Sequence, residues 1–420
     1  MFTGYLQSLK SKRVAVCGLG ISNRPLTEAL LSAGINVTGR DKNAVDISGL
    51  TQTVFGAGYL DNLDEDVVFR SPGIRPDALK LKPGAELTSE MEVFFKLCPC
   101  PVIAVTGSDG KTTTATLIAE LLRAEGYTVH LGGNIGTPLL TRADTINPND
   151  FAVVELSSFQ LMTMQKSPQI AVITNISPNH LDWHVNYDEY ITAKANLLKY
   201  QRKGDILVLN ESLKELKDKL GYEASPAEIR WYREGGSVPY RLAKLRGEHN
   251  LWNFNCAITA VRHLISNSAI ERVAAGFSGV PHRLEVVREL SGITFVNDSI
   301  ASSANRTIAG LRSFTEPVIL IAGGKDKGVP YDAIGTVIRE RVKQLILTGP
   351  TSAPISAAVE AAGGGVPIVI TDDFTEAVKT AYSSAEPGDI VLLSPASTSF
   401  DRWKNFEERG NAFRDIVGKL

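Results

Sequence analysis

Long hydrophobic runs are absent from this 420-residue chain, and so is any large surplus of one charge. No apolar stretch approaches the roughly 20 residues that cross a bilayer as a helix, so no membrane association is expected. With 44 basic residues against 46 acidic ones the formal net charge is −2, which argues against a general nucleic-acid-binding surface. Cysteine is scarce. Cys17, Cys98, Cys100 and Cys256 show neither paired metal-site spacing nor a disulfide framework, and Cys98-Pro99-Cys100 reads as a domain junction. The opening Met1-Phe2-Thr3-Gly4 runs into a polar stretch without the apolar core of a signal segment. A reducing cytoplasm is the expected compartment. Repeats and low-complexity tracts are lacking too. Glycine is plentiful at 36 residues, with an apolar fraction of 43%. That suits an α/β protein with many tight turns, and the length suits two or three domains.

Two strand–glycine–helix motifs stand out, and each lacks something. The first runs Arg13-Val14-Ala15-Val16-Cys17-Gly18-Leu19-Gly20, followed by a helix from about Pro25 to Gly34 and a second strand ending at Asp41. Asp41 lies 21 positions after Gly20, the offset of a dinucleotide fold's ribose-binding acid. The third glycine of that fingerprint is missing, with Asn23 in its place. NAD binding is therefore not expected. A Rossmann-like segment holding another nucleotide, or none, fits equally. Val67-Val68-Phe69 is a further strand, ending at Ser71-Pro72-Gly73, which is either a ligand loop or a plain turn.

The second motif is Val102-Ile103-Ala104-Val105, then Thr106-Gly107-Ser108-Asp109-Gly110-Lys111-Thr112, then a helical pattern through Leu117, Leu121 and Leu122. Glycines let backbone N–H groups converge on an anion, a lysine adds a point charge, and a hydroxyl suits Mg²⁺. A standard phosphate loop has four residues between its glycines, whereas Gly107 and Gly110 enclose two. From these residues alone, a nucleotide site and an ordinary strand-to-helix turn both stand.

After residue 101 come Gly132-Gly133-Asn134-Ile135-Gly136, too glycine-rich for a regular element, and a strand at 151–156 with Glu155 at its end. A buried strand at 170–173, the segment Asn179-His180-Leu181-Asp182 with His184, and a helix from Tyr187 to Tyr200 containing Lys194 follow. Residues 206–209 form another strand, 211–227 a polar surface excursion, and His249-Asn250-Leu251-Trp252-Asn253 opens an Ala-rich helix ending near Ser266. Beyond Pro281-His282-Arg283, strands at 294–297, 318–322, 345–347, 368–370 and 390–393 alternate with helical patterns, which implies a parallel sheet. Taken singly, Glu155 is a loop-edge carboxylate, His180 a turn histidine, Lys194 a solvated helix lysine, Asn250 a helix cap and Arg283 a surface ion-pair partner.

Together, the 106–112 loop, Gly133-Asn134-Ile135-Gly136, Glu155-Leu156-Ser157-Ser158-Phe159-Gln160 and His249-Asn250 resemble the Mur ligase family, whose phosphate loop is shortened in this way. The run continuing to Leu161, and Ser394-Pro395-Ala396-Ser397-Thr398-Ser399-Phe400-Asp401 with Lys404-Asn405-Phe406-Glu407-Glu408-Arg409-Gly410, are similar to the members that add D-glutamate. The resemblance spans the whole chain. It implies three α/β domains: a Rossmann-like UDP-sugar-binding domain at 1–97, a central P-loop ATPase-like parallel-sheet domain at 98–281, and a Rossmann-like amino-acid-binding domain at 282–420. It implies a cytoplasmic, monomeric, ATP-dependent ligase of peptidoglycan precursor synthesis, joining D-glutamate to UDP-N-acetylmuramoyl-L-alanine through an acyl phosphate, with two Mg²⁺ ions.

By the same resemblance, Gly107, Ser108, Asp109, Gly110, Lys111, Thr112 and Thr113 hold ATP phosphates, and Asn250, Asn253, Arg283 and Asp298 the rest of ATP. Thr112 and Glu155 ligate one Mg²⁺. His180 and a CO₂-derived carbamate on Lys194 serve the second. Gly20, Ile21, Ser22, Asp41, Ser71, Pro72 and Gly73 match the UDP end of the sugar substrate, and Asn134, Ser157 and Gln160 its sugar–peptide portion. Ser302, Lys327, Ser399 and Phe406 match amino-acid contacts. One departure stands out: the family's Asp-Ser-Lys-Ala-Thr-Asn reads Asp298-Ser299-Ile300-Ala301-Ser302-Ser303 here. Ile300 carries no charge where the family has a lysine, with Arg306 the nearby cation. Another Mur-type or folylpolyglutamate-synthase-like ligase is the alternative, although the long segment before residue 98 argues against the latter. A non-catalytic nucleotide-binding regulator is disfavoured by the joint presence of Lys111, Glu155, His180 and Lys194.

Overall fold

The computed structural model describes residues 1–20, 22–136, 138–181, 183–233, 248–326 and 330–420. Among these, the chain divides into two compact units, Met1–Gly276 and Phe277–Leu420. The first unit holds two sheets. The leading one consists of β1 (Val14–Cys17), β2 (Val37–Asp41), β3 (Gln52–Phe55), β4 (Val67–Arg70) and β5 (Glu86–Thr88). All its pairings are parallel, in the order β3-β2-β1-β4-β5. Its middle strands are buried on both faces, as a parallel sheet covered by helices requires. The chain order reverses between β1 and β4, and the crevice beyond the carboxyl ends of such a pair is where open α/β sheets bind ligands.

The second sheet consists of β6 (Val102–Thr106), β7 (Val129–Gly133), β8 (Phe151–Glu155), β9 (Ile170–Ile173), β10 (Ile206–Asn210) and β11 (Glu228–Tyr232). It too is parallel throughout, ordered β11-β10-β9-β6-β8-β7. Strand β6 lies between β8 and β9, so its carboxyl end is flanked by theirs. One continuous core joins the two sheets, with Val16 and Phe69 from the first and Ala104 and Ile173 from the second.

The second unit carries β12 (Glu285–Leu290), β13 (Ile293–Asn297), β14 (Val318–Ala322), β15 (Val342–Leu347), β16 (Ile368–Ile370) and β17 (Ile390–Leu393). Their order is β12-β13-β17-β14-β15-β16, and only the β12–β13 pair is antiparallel among the described residues. Separate apolar clusters cover its two faces.

The α/β class and the parallel sheets follow the sequence expectation. Several local readings are corrected. Gly132 and Gly133 belong to strand β7; positive φ at Gly133 and the Glu155 backbone lying where a Cβ would project explain why glycine is used inside a strand here. The helix begun at Tyr187 stops at Ala195, and the helix Glu248–Val261 is followed by a second, Asn267–Gly276. Among the described residues no helix is long and apolar enough to cross a membrane.

Candidate functional site

Strand β6 ends in Thr106, and the backbone then turns through Gly107 (φ 150°) and Gly110 (φ 75°) into the helix Lys111–Glu125. A side chain on either glycine would meet a neighbour: Thr174 Oγ1 beside Gly107, and the Asn253 amide beside Gly110. Both positions therefore need glycine for space as well as for φ. No side-chain hydrogen bond caps this helix start, and the positive end of the helix dipole there suits an anion. The end of β9 staples the turn. Ser108 N donates to Asn175 O at 2.9 Å, Asp109 N to Asn175 Oδ1 at 2.9 Å, and Thr174 Oγ1 to Asp109 O at 2.6 Å.

Two lysines converge on this turn. Lys111 Nζ donates to the carbonyls of Gly107 at 2.9 Å and Ser108 at 2.8 Å. Lys194 Nζ donates to the same Gly107 carbonyl at 2.8 Å and to Thr106 Oγ1 at 3.3 Å, and lies 4.6 Å from the centroid of the Tyr190 ring. Lys194 is 1% exposed. The solvated-lysine reading is thus corrected. Burial, and next the positive charge of Lys111, hold its amine well below the usual lysine range, because a desolvated ammonium beside another cation is disfavoured. A neutral amine is the form that reacts with CO₂.

Glu155, at the end of β8, is buried with both oxygens engaged. Oε2 accepts from Thr112 Oγ1 at 2.6 Å and Oε1 from Asn134 Nδ2 at 2.9 Å. Asn134 N also donates to the Glu155 carbonyl at 2.8 Å. A hydroxyl oxygen and a carboxylate oxygen in contact fit a hard divalent cation such as Mg²⁺, which takes one or two protein oxygens and fills its shell with phosphate and water. Among the described residues no group of three His, Cys, Asp or Glu side chains is placed to hold a metal, and a Mg²⁺ bound mainly through phosphates needs none. His180 sits exposed at φ 54° on the loop after β9, its ring 4.9 Å from that of Phe159.

Asn253 lies beside Gly110 and accepts from Thr114 Oγ1 at 3.4 Å. Asn250 is three residues before it in the helix Glu248–Val261, so it sits within the helix and is not its cap. Ser157 and Gln160 form a capping box, with Gln160 N on Ser157 Oγ at 3.2 Å and Ser157 N on Gln160 Oε1 at 2.9 Å.

On the first sheet, Asp41 Oδ2 accepts from Leu19 N at 2.7 Å, which places the acid on the glycine turn after β1. Asn23, where a third glycine was missing, is 1% exposed, and its amide donates to Gly18 O at 2.9 Å. Gly20 and Ser22 are exposed on the same turn. Ser71 stands against Gly18, whose φ is 83°, and Ser71 N donates to Cys17 O at 2.8 Å. The Ser71-Pro72-Gly73 loop and the 18–20 turn are therefore neighbours across the β1–β4 crevice. Ile21 and Lys327 lie outside the described residues.

In the second unit, Asp298 is buried at the end of β13, accepting from Ser394 Oγ at 2.8 Å and Leu284 N at 3.3 Å. Burial pushes its carboxyl up to about 7. Arg283 is half-buried, and its N–H donates to Val280 O at 3.1 Å. Ser302 N donates to the carbonyl of Ile300 at 2.8 Å. Ser399 is buried, and its carbonyl accepts from Trp403 N at 2.9 Å. Phe406 starts the helix Phe406–Gly418 and accepts through its carbonyl from Ser299 Oγ at 2.8 Å. Buried Arg409 ties this helix to the carbonyls of Ser299, Ser397 and Thr398 at 2.9–3.2 Å.

Sequence reasoning missed several residues that hold these loops. Arg70 is 1% exposed and donates to Ile74 O at 2.6 Å and Phe159 O at 2.9 Å. Arg75, Trp183, His184 and Glu189 form a further network. The signal available was an arginine on each side of Ser71-Pro72-Gly73, and a second histidine four residues after His180.

The Mur ligase middle domain model matches residues 105–261, and the Mur ligase, glutamate ligase domain model matches residues 282–397. The chain is 47% identical over 460 residues to the UDP-N-acetylmuramoylalanine--D-glutamate ligase of Acetivibrio thermocellus, covering 99% of this chain and 98% of that one. Its fold is similar to that of UDP-N-acetylmuramate-alanine ligase from Thermotoga maritima, with a TM-score of 0.58, 17% identity, and coverage of 97% and 99%. It is also similar to that of a bifunctional folylpolyglutamate synthase/dihydrofolate synthase from Yersinia pestis, with a TM-score of 0.55, 15% identity, and coverage of 78% of this chain and 92% of that one.

Proposed function

The chain belongs to the Mur ligase family, and from that premise we propose that it is the ATP-dependent ligase that joins D-glutamate to UDP-N-acetylmuramoyl-L-alanine. The observation that carries this reading is 47% identity held over 99% of the chain, which includes the β6 turn, the first sheet and the second unit alike.

A carboxylate is a poor acyl donor, because oxide would have to leave. Transfer of the γ-phosphoryl group from ATP to the L-alanyl carboxylate gives an acyl phosphate and ADP. The amine of D-glutamate then attacks the acyl carbon, phosphate departs, and the amide forms with loss of a proton from nitrogen. Two anions must meet in the first step, so positive charge and aligned N–H groups at the transferring phosphoryl carry most of the catalysis. The 107–110 turn and Lys111 supply both. Thr112 and Glu155 are the oxygen pair suited to Mg²⁺, which when bound neutralises phosphate charge. Lys194 is assigned as the acceptor of CO₂, the carbamate turning a side chain that repels cations into an anionic oxygen donor, with His180 assigned as a second ligand.

The sugar nucleotide is assigned to the β1–β4 crevice, with Gly20, Ser22, Asp41 and Ser71-Pro72-Gly73 at the UDP end and Asn134, Ser157 and Gln160 toward the peptide. Ser302, Ser399 and Phe406 are assigned to D-glutamate, and Asn250, Asn253, Arg283 and Asp298 to the nucleotide. The corresponding division is 1–97, 98–281 and 282–420, in a cytoplasmic monomer. Phosphate release from ATP that depends on both UDP-N-acetylmuramoyl-L-alanine and D-glutamate tests the reading. Release with a folate and L-glutamate instead, or no release with either pair, overturns it.

A further inference from the structure

The loop that carries His180 folds back on itself and is then fastened in two directions by side chains with no role so far. The backbone N–H groups of Trp183 and His184 donate to the His180 carbonyl at 3.1 and 2.9 Å. The Trp183 indole donates to Gly73 O at 3.1 Å, and the Trp183 carbonyl accepts from Arg75 Nη1 at 2.8 Å. Arg75 also forms a two-pronged pair with Glu189, 3.0 Å to each oxygen. Glu189 Oε2 accepts from His184 Nδ1 at 3.1 Å, and His184 Nε2 takes the Ser158 hydroxyl at 2.9 Å. The Phe159 ring packs against all three, centroids 4.9 Å from His180, 4.3 Å from Trp183 and 5.7 Å from His184.

The chemistry of the partners fixes the tautomer. A carboxylate only accepts, so the hydrogen belongs on Nδ1, and Nε2 is then the acceptor for Ser158. The His184 side chain is 0% exposed. An aliphatic or aromatic side chain would fill that volume without leaving a polar ring inside. What the imidazole adds is two opposed polar ends, one toward the Arg75–Glu189 pair and the other toward Ser158, next to Ser157 and three residues after Glu155.

We propose that Trp183 and His184 are positioning residues that lock the His180 loop to the 71–73 and 157–160 turns. They thereby fix the spacing between the sugar-nucleotide end of the substrate and the phosphoryl-transfer end. The inference rests on the ligase reading above. Three loops from three strands, β4, β8 and β9, are set in one frame, and each strand contributes a different subsite.

The test uses the full chain and begins with wild-type turnover of UDP-N-acetylmuramoyl-L-alanine, D-glutamate and ATP, so a failed ligase reading shows before any variant is compared. Trp183→Phe keeps a ring against Phe159 and loses the donor to Gly73. It is expected to raise KM for the UDP-sugar substrate about fivefold to tenfold, the effect of one lost hydrogen bond, with KM for ATP unchanged. His184→Ala is expected to lower kcat by at least about tenfold and to weaken calorimetric binding of the UDP-sugar substrate. His184→Asn keeps a donor where Nδ1 stands, and His184→Gln keeps an acceptor where Nε2 stands, so each should recover part of that loss. If every variant shows wild-type kcat and KM and only a lowered unfolding temperature, the positioning role is overturned. Should His184→Ala not fold, unchanged kinetics in Trp183→Phe and His184→Gln overturn it equally.

Discussion

The chain builds the strand–glycine turn–helix unit twice within its first compact unit, once after β1 and once after β6, and the two are used in opposite ways. After β6, two glycines with positive φ stand at the turn and two lysine amines share the Gly107 carbonyl. After β1, the side chains of Asn23 and Asp41 bond the turn's own backbone. The β6 turn is clasped from the end of β9, its Ser108 and Asp109 N–H groups donating to Asn175, and it gathers two lysine amines. The β1 turn consumes its polar groups in holding its own shape, and presents a carboxylate where the other presents ammonium. Identical local topology does not define a phosphate site. What separates the two turns is the charge each gathers, two lysine amines after β6 and one carboxylate after β1.

The strongest test of this contrast is at Lys194. Lys194→Ala is expected to reduce kcat by on the order of 10³-fold, because a methyl group cannot replace an anionic oxygen donor at a transferring phosphoryl. Added formate or acetate should restore part of the rate, and the intact protein should carry the mass of one CO₂ at Lys194. Full activity of the variant without added carboxylate would remove the carbamate.

Next in size is Lys111→Ala. Loss of this charge should cost about 3 kcal/mol of barrier, roughly 100-fold in kcat, with a circular dichroism spectrum like that of the wild type. Near-normal turnover would make the two turns equivalent after all.

Asn23→Gly restores the missing glycine of the first turn. It should not create NAD binding, since Asp41 and the Ser71 loop still shape the site. It should instead lower stability by about 1–2 kcal/mol, through the lost bond to Gly18 O and a freer unfolded chain, read from the denaturant midpoint. Titration with UDP and NAD distinguishes the outcomes, and NAD binding by the variant would refute the contrast.

The smallest effect concerns the second unit. The Asp298 carboxyl has its pKa raised from 3.8 to about 7 by burial, so the folded state binds the proton more tightly than the unfolded one. The stability this contributes is fully present below pH 3.8 and is lost as pH rises through about 7. Hydrogen exchange at the Asp298 amide, which bonds Leu393 O at 2.7 Å, should accelerate over that interval. Asp298→Asn should flatten the dependence.

What the sequence made legible were the buried runs. The extents of β9, β14 and β17 agree with the sequence reading, because uninterrupted β-branched and aliphatic stretches are the signature of strands covered on both faces; β16 agrees as well, although it is half-exposed. The strands missed, β3, β5, β7, β11 and β12, are short, half-exposed or interrupted by glycine, and alternation is too weak there to register. The strand–turn–helix pattern around Gly107 and the strand ending at Glu155 were legible because they are local, whereas their reading as a nucleotide site came from the family resemblance. The burial of Lys194 was not legible, since a single helix lysine reads as solvated and the partners that enclose it, Thr106 and Gly107, lie 88 and 87 positions away. The hold of Arg70 on Phe159 crosses 89 positions and leaves no local trace.

The order of the second sheet also has a consequence in time. The 106–110 turn is clasped by Thr174 and Asn175, and β6 pairs only with β8 and β9 among the described residues. A nascent chain that has passed Lys111 therefore possesses the motif but not its clasp. The turn acquires its shape only after some 65 further residues have left the ribosome. Parallel pairing of this range is slow and leaves apolar strand faces bare meanwhile. Nucleotide thus has no finished site to bind until β9 has docked, and a polypeptide arrested before Thr174 would be recognised by chaperones before it was recognised by ATP.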